Sequence, residues 1–153
     1  MLFLSINLGG MLFAIPARDV IRVLPLVELR EMPNTPAFFS GIFPYEDRMV
    51  PVVDLQMLTH QQPCSRRFST RVILAKPAFE EFCVREIGVL AERVTDAFEA
   101  DPRSGKNPGI HPRGAEFLGA VVEAEGRSYQ IVHLERILNK PMKEVLAREN
   151  RTS

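Results

Sequence analysis

Residues 34–58, NTPAFFSGIFPYEDRMVPVVDLQML, decide the fold, because they compress a turn, two strands and a helix start into one short unit. Asn34 or Thr35 is expected to cap a helical turn opened by Pro36, whose missing N–H has no partner at a first helical position in any case. Gly41 then lets the chain reverse. Residues 42–45 and 49–54 are rich in β-branched and aromatic side chains, and Glu46-Asp47-Arg48 between them reads as the polar tip of a hairpin. Pro44 and Pro51 cannot donate to a ladder, so each is expected at a bulge or with its missing N–H turned out of the sheet. Asp54 ends the second strand and opens a short helix over 55–60. A side-chain oxygen there satisfies free N–H groups, so Asp54 reads as a cap before it reads as a catalytic carboxylate.

Working outward, Gly9-Gly10 lies between apolar runs at 1–7 and 11–15 and reads as a hairpin turn. A turn over 16–19 and a strand over 21–26 follow. Residues 61–69, QQPCSRRFS, are polar and aperiodic and stand as the expected linker, with Arg66 and Arg67 as solvated surface. Beyond it come a strand over 70–75, a turn over 77–81, a strand within 83–93 and an extended run over 94–100. The Gly- and Pro-rich stretch 103–114 reads as a loop. Strands over 117–124 and 127–134 flank a Glu125-Gly126 turn, a helical turn follows over 134–138, and a charged helix is expected over 141–150.

The second half of this pattern repeats the first. Gly41, the Tyr45 hairpin, Asp54 and Leu55 find counterparts in Gly119, the Glu123 hairpin, His133 and Leu134, and residues 15–23 parallel 90–97 with one gap. Short strands at close spacing with Gly and Pro turns indicate an all-β chain of closed barrels. The expected division is two small, related sub-barrels, 1–67 and 68–140, each too small to be comfortable alone and therefore packed together as one domain.

Composition narrows function by exclusion. Lys+Arg and Asp+Glu both number 19, so no net field draws the molecule toward nucleic acid or an anionic membrane. No apolar run approaches the ~20 residues that span a bilayer, and the apolar start lacks a basic leader and alternates like a strand. Cys64 and Cys83 form neither a metal-type pair nor a disulfide framework and read as reduced thiols of a cytoplasmic protein. His60, His111 and His133 lack ligand spacing, and nucleophile-elbow, Walker and dinucleotide motifs are absent. What remains is a protein whose product is contact.

At NTPAFFSGIFPYEDRMVPVVDL, and again at IGVLAERVTDAFEADP, the chain resembles the CheW-like family of bacterial signalling adaptors. The family pattern runs P-x-A-P-x-x-x-x-G-x-x-N-L-R-G-x-x-V-P-V-V-D-L and later G-x-x-V-D-x-V-x-D-V. The resemblance implies two SH3-like five-stranded barrels, no catalysis and no cofactor, while the residues themselves offer no metal-ligand spacing and no segment for membrane insertion. It also implies partners, a chemoreceptor cytoplasmic tip and the regulatory domain of a CheA-type histidine kinase, and a cytoplasmic place at membrane receptor arrays. The runs VLPLV, STRVILAKP and GVLAERVTD are further similar to adaptors of surface-sensing pathways that end in cyclic-di-GMP synthesis.

Two departures stand out. The family's Arg-Gly becomes Glu46-Asp47, and its V-x-E-V becomes Val20-Ile21-Arg22-Val23, which suggests that Arg22 and Glu46 face each other as a charge-swapped pair and tune partner choice. The expected receptor- and kinase-binding residues are Val20, Arg22, Val23, Phe38, Phe39, Gly41, Ile42, Phe43 and Glu46, the apolar ones reading equally well as core. The alternative class is a free-standing β-barrel binding module, or an accessory domain acting on an output enzyme. A detached kinase regulatory domain is set aside because the chain starts at Met1 and ends in a charged tail.

Overall fold

The computed structural model describes residues 1–76, 86–110 and 115–137. Its strands are β1 (Leu2–Leu8), β2 (Met11–Pro16), β3 (Val20–Pro25), β4 (Phe39–Tyr45), β5 (Arg48–Asp54), β6 (Arg71–Ala75), β7 (Ile87–Ala91), β8 (Arg93–Glu99), β9 (Leu118–Ala124) and β10 (Arg127–Val132). A single α-helix, α1 (Leu55–His60), appears among the described residues, with short 3-10 turns at Ala17–Asp19, Pro102–Ser104 and Leu134–Arg136. The strands form two five-stranded sheets, ordered β8-β1-β2-β10-β9 and β3-β6-β7-β5-β4.

Both sheets close in the same way. Beyond β3 the chain returns to bridge β4, with Arg30 and Ile42 exchanging backbone hydrogen bonds of 2.8 and 2.9 Å. Beyond β8, Lys106 and Val121 of β9 do the same at 2.8 and 2.9 Å. Closure removes a free edge from each sheet and makes the pair SH3-like barrels. The stretch 103–114, expected as a plain loop, thus carries the strand-like bridge of the second barrel.

The repeat is real in the strand pairing, but the sub-barrel boundary at 67/68 is not where the barrels divide. The β1–β2 hairpin joins β8, β9 and β10, whereas β6 and β7 join β3, β4 and β5, so each repeat lends a hairpin to the other's barrel. The lent strand pairs parallel with its new neighbour, β2 with β10 and β7 with β5. The crossings occur at the tight turn Ala17–Asp19 and at Glu92 between β7 and β8. Only a short turn is needed to throw a strand from one sheet to the next when the sheets pack face to face. Residues 61–69 are consequently a loop within one barrel rather than a linker.

This exchange explains the unbroken apolar runs at 50–53, 72–75 and 87–91. Alternate residues of β5, β6 and β7 point to two different cores, so both faces are buried. Val52, Val72, Leu74 and Leu90 fill the interior of the β4–β5 barrel with Phe43 and Leu29. Val53, Ile73, Val89 and Ala91 face the other way, into a central core shared with Ile6, Phe13, Ile15, Phe117 and Val132 of the opposite barrel. The β9–β10 barrel has its own interior, where Phe98 stacks between Phe3 at 5.7 Å and Tyr129 at 4.3 Å.

Local details of the opening stretch are corrected too. The turn opened by Pro36 is present, closed by the Phe39 N–H donating to the Pro36 carbonyl at 3.0 Å, but neither expected residue caps it: Asn34 adopts a left-handed φ of 61°, and the Thr35 hydroxyl donates to the Met32 carbonyl at 2.8 Å. Gly41 does not reverse the chain but lies within β4, where its lack of a Cβ admits the Arg30 backbone. Pro51 sits one residue before the β5–β7 ladder begins at Val52, where an N–H is not needed. Gly9 and Gly10, at φ 57° and 82°, make the expected hairpin turn. Cys83, His111, the turn 77–81 and the helix 141–150 lie outside the described residues.

Candidate functional site

Asp54 turns out to be an anchor. Its carboxylate is buried and accepts from the Met57 N–H at 3.2 Å and from the Cys64 N–H at 2.8 Å, capping α1 and pinning the loop that leaves it. His133, its counterpart, makes no cap, and only a 3-10 turn follows it. Burial first, and then Arg136, push the His133 imidazole below its usual pKa; its Nδ1 lies 3.5 Å from Glu135. No cluster of metal-ligating side chains occurs among the described residues.

Cys64 is enclosed in the β4–β5 barrel, and burial, then the neighbouring Asp54 and Glu92 carboxylates, push its thiol up to about 12. The folded chain therefore holds a proton that the unfolded chain releases around the thiol's ordinary 9.0. Its contribution to stability is whole below that value and is lost as pH rises toward about 12. Urea midpoints measured across that window should fall with pH, and the fall should be shallower in Cys64→Ala.

The surface of interest runs along β3. This strand ends the ladder order, pairing with β6 on one side, and a bulge between Val20↔Ala75 and Arg22↔Leu74 shifts the register at Ile21. Ile21 and Val23 are each 37% exposed, with Arg22 exposed between them. Arg22 has no ion pair among the described residues. The equivalent strand β8 exposes Thr95, Asp96 and Ala97 instead. At these equivalent positions the two strands present opposite chemistry, Ile21-Arg22-Val23 against Thr95-Asp96-Ala97, although β8 also exposes Arg93 and Glu99 at its ends.

The β4–β5 hairpin carries a second exposed feature. Glu46, with a left-handed φ of 55°, and Asp47 occupy the turn, and Met49 is exposed beside them. Arg48 stands at the centre: its guanidinium binds both carboxylate oxygens of Glu86, with Nε to Oε2 at 2.6 Å. It also lies 3.4 Å from Glu46 and 3.3 Å from Asp47, with the Tyr45 ring 5.7 Å away. The Glu86 hydrogen bonds, and then the three nearby carboxylates, hold the guanidinium pKa above its ordinary value. Glu86→Gln removes half of the fork, so amides 45–49 should exchange with deuterium faster than in the parent chain while strand β7 stays protected.

These placements sort the sequence-derived site. Arg22, Val23 and Glu46 are exposed; Val20 and Ile42 are half-buried against the central core. Phe38, Phe39 and Phe43 are buried and belong to the cores, because the barrels press both faces of this region inward, and Gly41 is buried against the Arg30 backbone. Glu46 pairs with Arg48 and not with Arg22, so the charge-swapped pair does not form. Ile21, Met49 and Phe68 are exposed hydrophobics that the sequence did not single out. Periodicity marks Ile21 as a strand residue, but the bulge that exposes it leaves no trace in the pattern.

A family model described as a CheW-like domain matches residues 2–142. The chain belongs to the CheW-like family. This CheW-like chain is 24% identical over 132 residues to "Chemotaxis protein CheW" of Treponema pallidum (strain Nichols), covering 84% of this chain and 75% of that protein. Its fold matches the crystal structure of the scaffolding protein TtCheW from Thermoanaerobacter tengcongensis with a TM-score of 0.81 at 20% identity, over 95% of this chain and 92% of that one. None of its described helices is long and apolar enough to cross a membrane.

Proposed function

We propose that this CheW-like protein is a non-catalytic signalling adaptor that couples chemoreceptor cytoplasmic tips to the regulatory domain of a CheA-type histidine kinase. Its contact face is β3 and the β4–β5 hairpin. The observation that carries this is the β3 surface, where Ile21 and Val23 flank an Arg22 with no ion pair among the described residues, while the equivalent strand β8 is polar. An exposed apolar end strand invites association unless a partner covers it. Arg22 adds direction, since a cation at such a face admits an acidic partner and repels a basic one. The protein acts on the cytoplasmic side, recruited to receptor arrays through the receptor tip rather than by insertion into the bilayer.

The test is a pull-down at physiological salt with two baits, a receptor cytoplasmic hairpin and a kinase regulatory domain. Both should be captured. Arg22→Glu should weaken capture of at least one bait about five- to tenfold, as truncation of an interface anchor does. Capture of neither bait would move the reading to a free-standing barrel module.

A further inference from the structure

Phe68 stands fully exposed on the loop between α1 and β6, which is unusual for an aromatic residue on a loop held by so many hydrogen bonds. The Thr70 side chain, wholly buried, organises that loop: its hydroxyl accepts from the Arg67 N–H at 2.9 Å and donates to the Ser65 carbonyl at 2.5 Å. The Thr70 N–H donates to the Arg67 carbonyl at 3.0 Å. Arg71 adds a clamp, its guanidinium donating to the carbonyls of Phe68 and, at 3.0 Å, Thr70. The ring is therefore presented on a fixed backbone, which lowers the ordering cost of binding.

Beside the ring lies a depression of about 390 Å³ lined by Pro25, Leu26, Arg66, Arg67 and Phe68. Among the described residues, none of Arg66, Arg67 and Arg71 has a carboxylate within salt-bridge distance. A chain of zero net charge thus concentrates around one exposed aromatic ring three arginines that have no carboxylate partner among the described residues. Arginine and aromatic residues are the types that dominate binding hot spots.

We propose that the Phe68 loop is a second docking site, which takes an acidic peptide segment of a partner protein with one apolar side chain seated in the depression against Phe68 and carboxylates on Arg66 and Arg67. The concavity favours a side chain over a flat lipid surface. Pro25, the last residue of β3, lines the depression, but the variants that test the β3 contact face and those that test the Phe68 loop lie on different residues, so either idea can fail alone.

The experiment is selection of displayed random peptides on the full-length chain, followed by fluorescence anisotropy of the enriched peptides with the chain and its variants. Enriched sequences should carry carboxylates on both sides of a leucine, isoleucine or phenylalanine. Phe68→Ser and, separately, the pair Arg66→Glu with Arg67→Glu should each weaken those peptides by at least about tenfold. Both changes are at exposed positions and should leave thermal melts unchanged. Absence of enrichment, enrichment of basic peptides, or binding indifferent to Phe68 would overturn the proposal. Phe68-dependent binding to phosphatidylserine vesicles, with no peptide enriched, would overturn it in favour of a membrane contact.

Discussion

Gly41→Ala is expected to lower the stability of the folded protein by roughly 3 kcal/mol. Gly41 has a φ of +139°, a region that side chains of L-residues scarcely enter. A Cβ there would also meet the Arg30 carbonyl oxygen at 2.6 Å and its carbon at 3.1 Å. Both atoms are backbone, and both belong to the bridge that closes the β4–β5 barrel, so neither can swing aside without breaking the Arg30–Ile42 hydrogen bonds. Gly119, its counterpart in the other repeat, makes the control. A Cβ at Gly119 collides with the His133 ring, coming to 2.8 Å of Cδ2, and a side chain can rotate where a carbonyl cannot. Gly119→Ala should therefore cost less than Gly41→Ala, and His133→Ala should rescue it, leaving an interaction energy in the double-mutant cycle. Thermal melts suffice as the measurement, since a loss of this size shifts the midpoint by about 6–12 °C in a chain of this length. A Gly41→Ala protein that melts like the parent would overturn the account of barrel closure.

The same glycine shows what sequence can and cannot carry. Gly41 and Gly119 are visible in the repeat, and so are the hairpin turns at Glu46-Asp47 and Glu125-Gly126, because turn chemistry and strand pattern are local, although Arg48, read as part of the first tip, already belongs to β5 opposite Tyr45. The partner of each glycine is not local. Arg30 bridges Ile42 and Lys106 bridges Val121 through backbone groups that any residue possesses, so no side-chain pattern announces them. The hairpin exchange is hidden for a related reason. A polar, aperiodic stretch such as 61–69 resembles a linker, whereas the true crossings are three residues at Ala17–Asp19 and the single residue Glu92.

Burial separates the candidate surface in the same way. Phe38, Phe39 and Phe43 look like contact residues in a strand-rich stretch with a polar tip, but β5 and β7 are buried on both faces and draw that region into two cores. Val23 lies in a similar apolar run and stays exposed because β3 ends its sheet. Position in the sheet order, which depends on the exchange, decides which apolar strand is surface. The Arg22–Glu46 pairing failed on a nearer competitor: Arg48, two residues from Glu46 and anchored by Glu86, takes the carboxylate first.

Asp54→Ala is expected to cost about 2–4 kcal/mol, summing a lost helix cap of about 1 kcal/mol with a buried N–H left without its acceptor. The two carboxylate oxygens serve different elements, Oδ1 the Met57 N–H inside α1 and Oδ2 the Cys64 N–H ten residues on. Asp54→Asn keeps one acceptor oxygen and turns an amide NH2 toward the other donor, so its loss should fall between alanine and the parent. The damage should also be local before it is global. Helix α1 ends at His60, whose ring lies so close to the β1–β2 turn that a Cβ on Gly9 would meet it at 3.1 Å, so the helix braces one barrel against the hairpin of the other. Loosening the cap releases that brace and the chain from Gln61 to Cys64, where amide exchange should rise first, while the doubly buried β7 remains protected until global unfolding. If exchange rises in β7 as early as in the loop, Asp54 supports the barrel as a whole and the division of labour between its two oxygens is wrong.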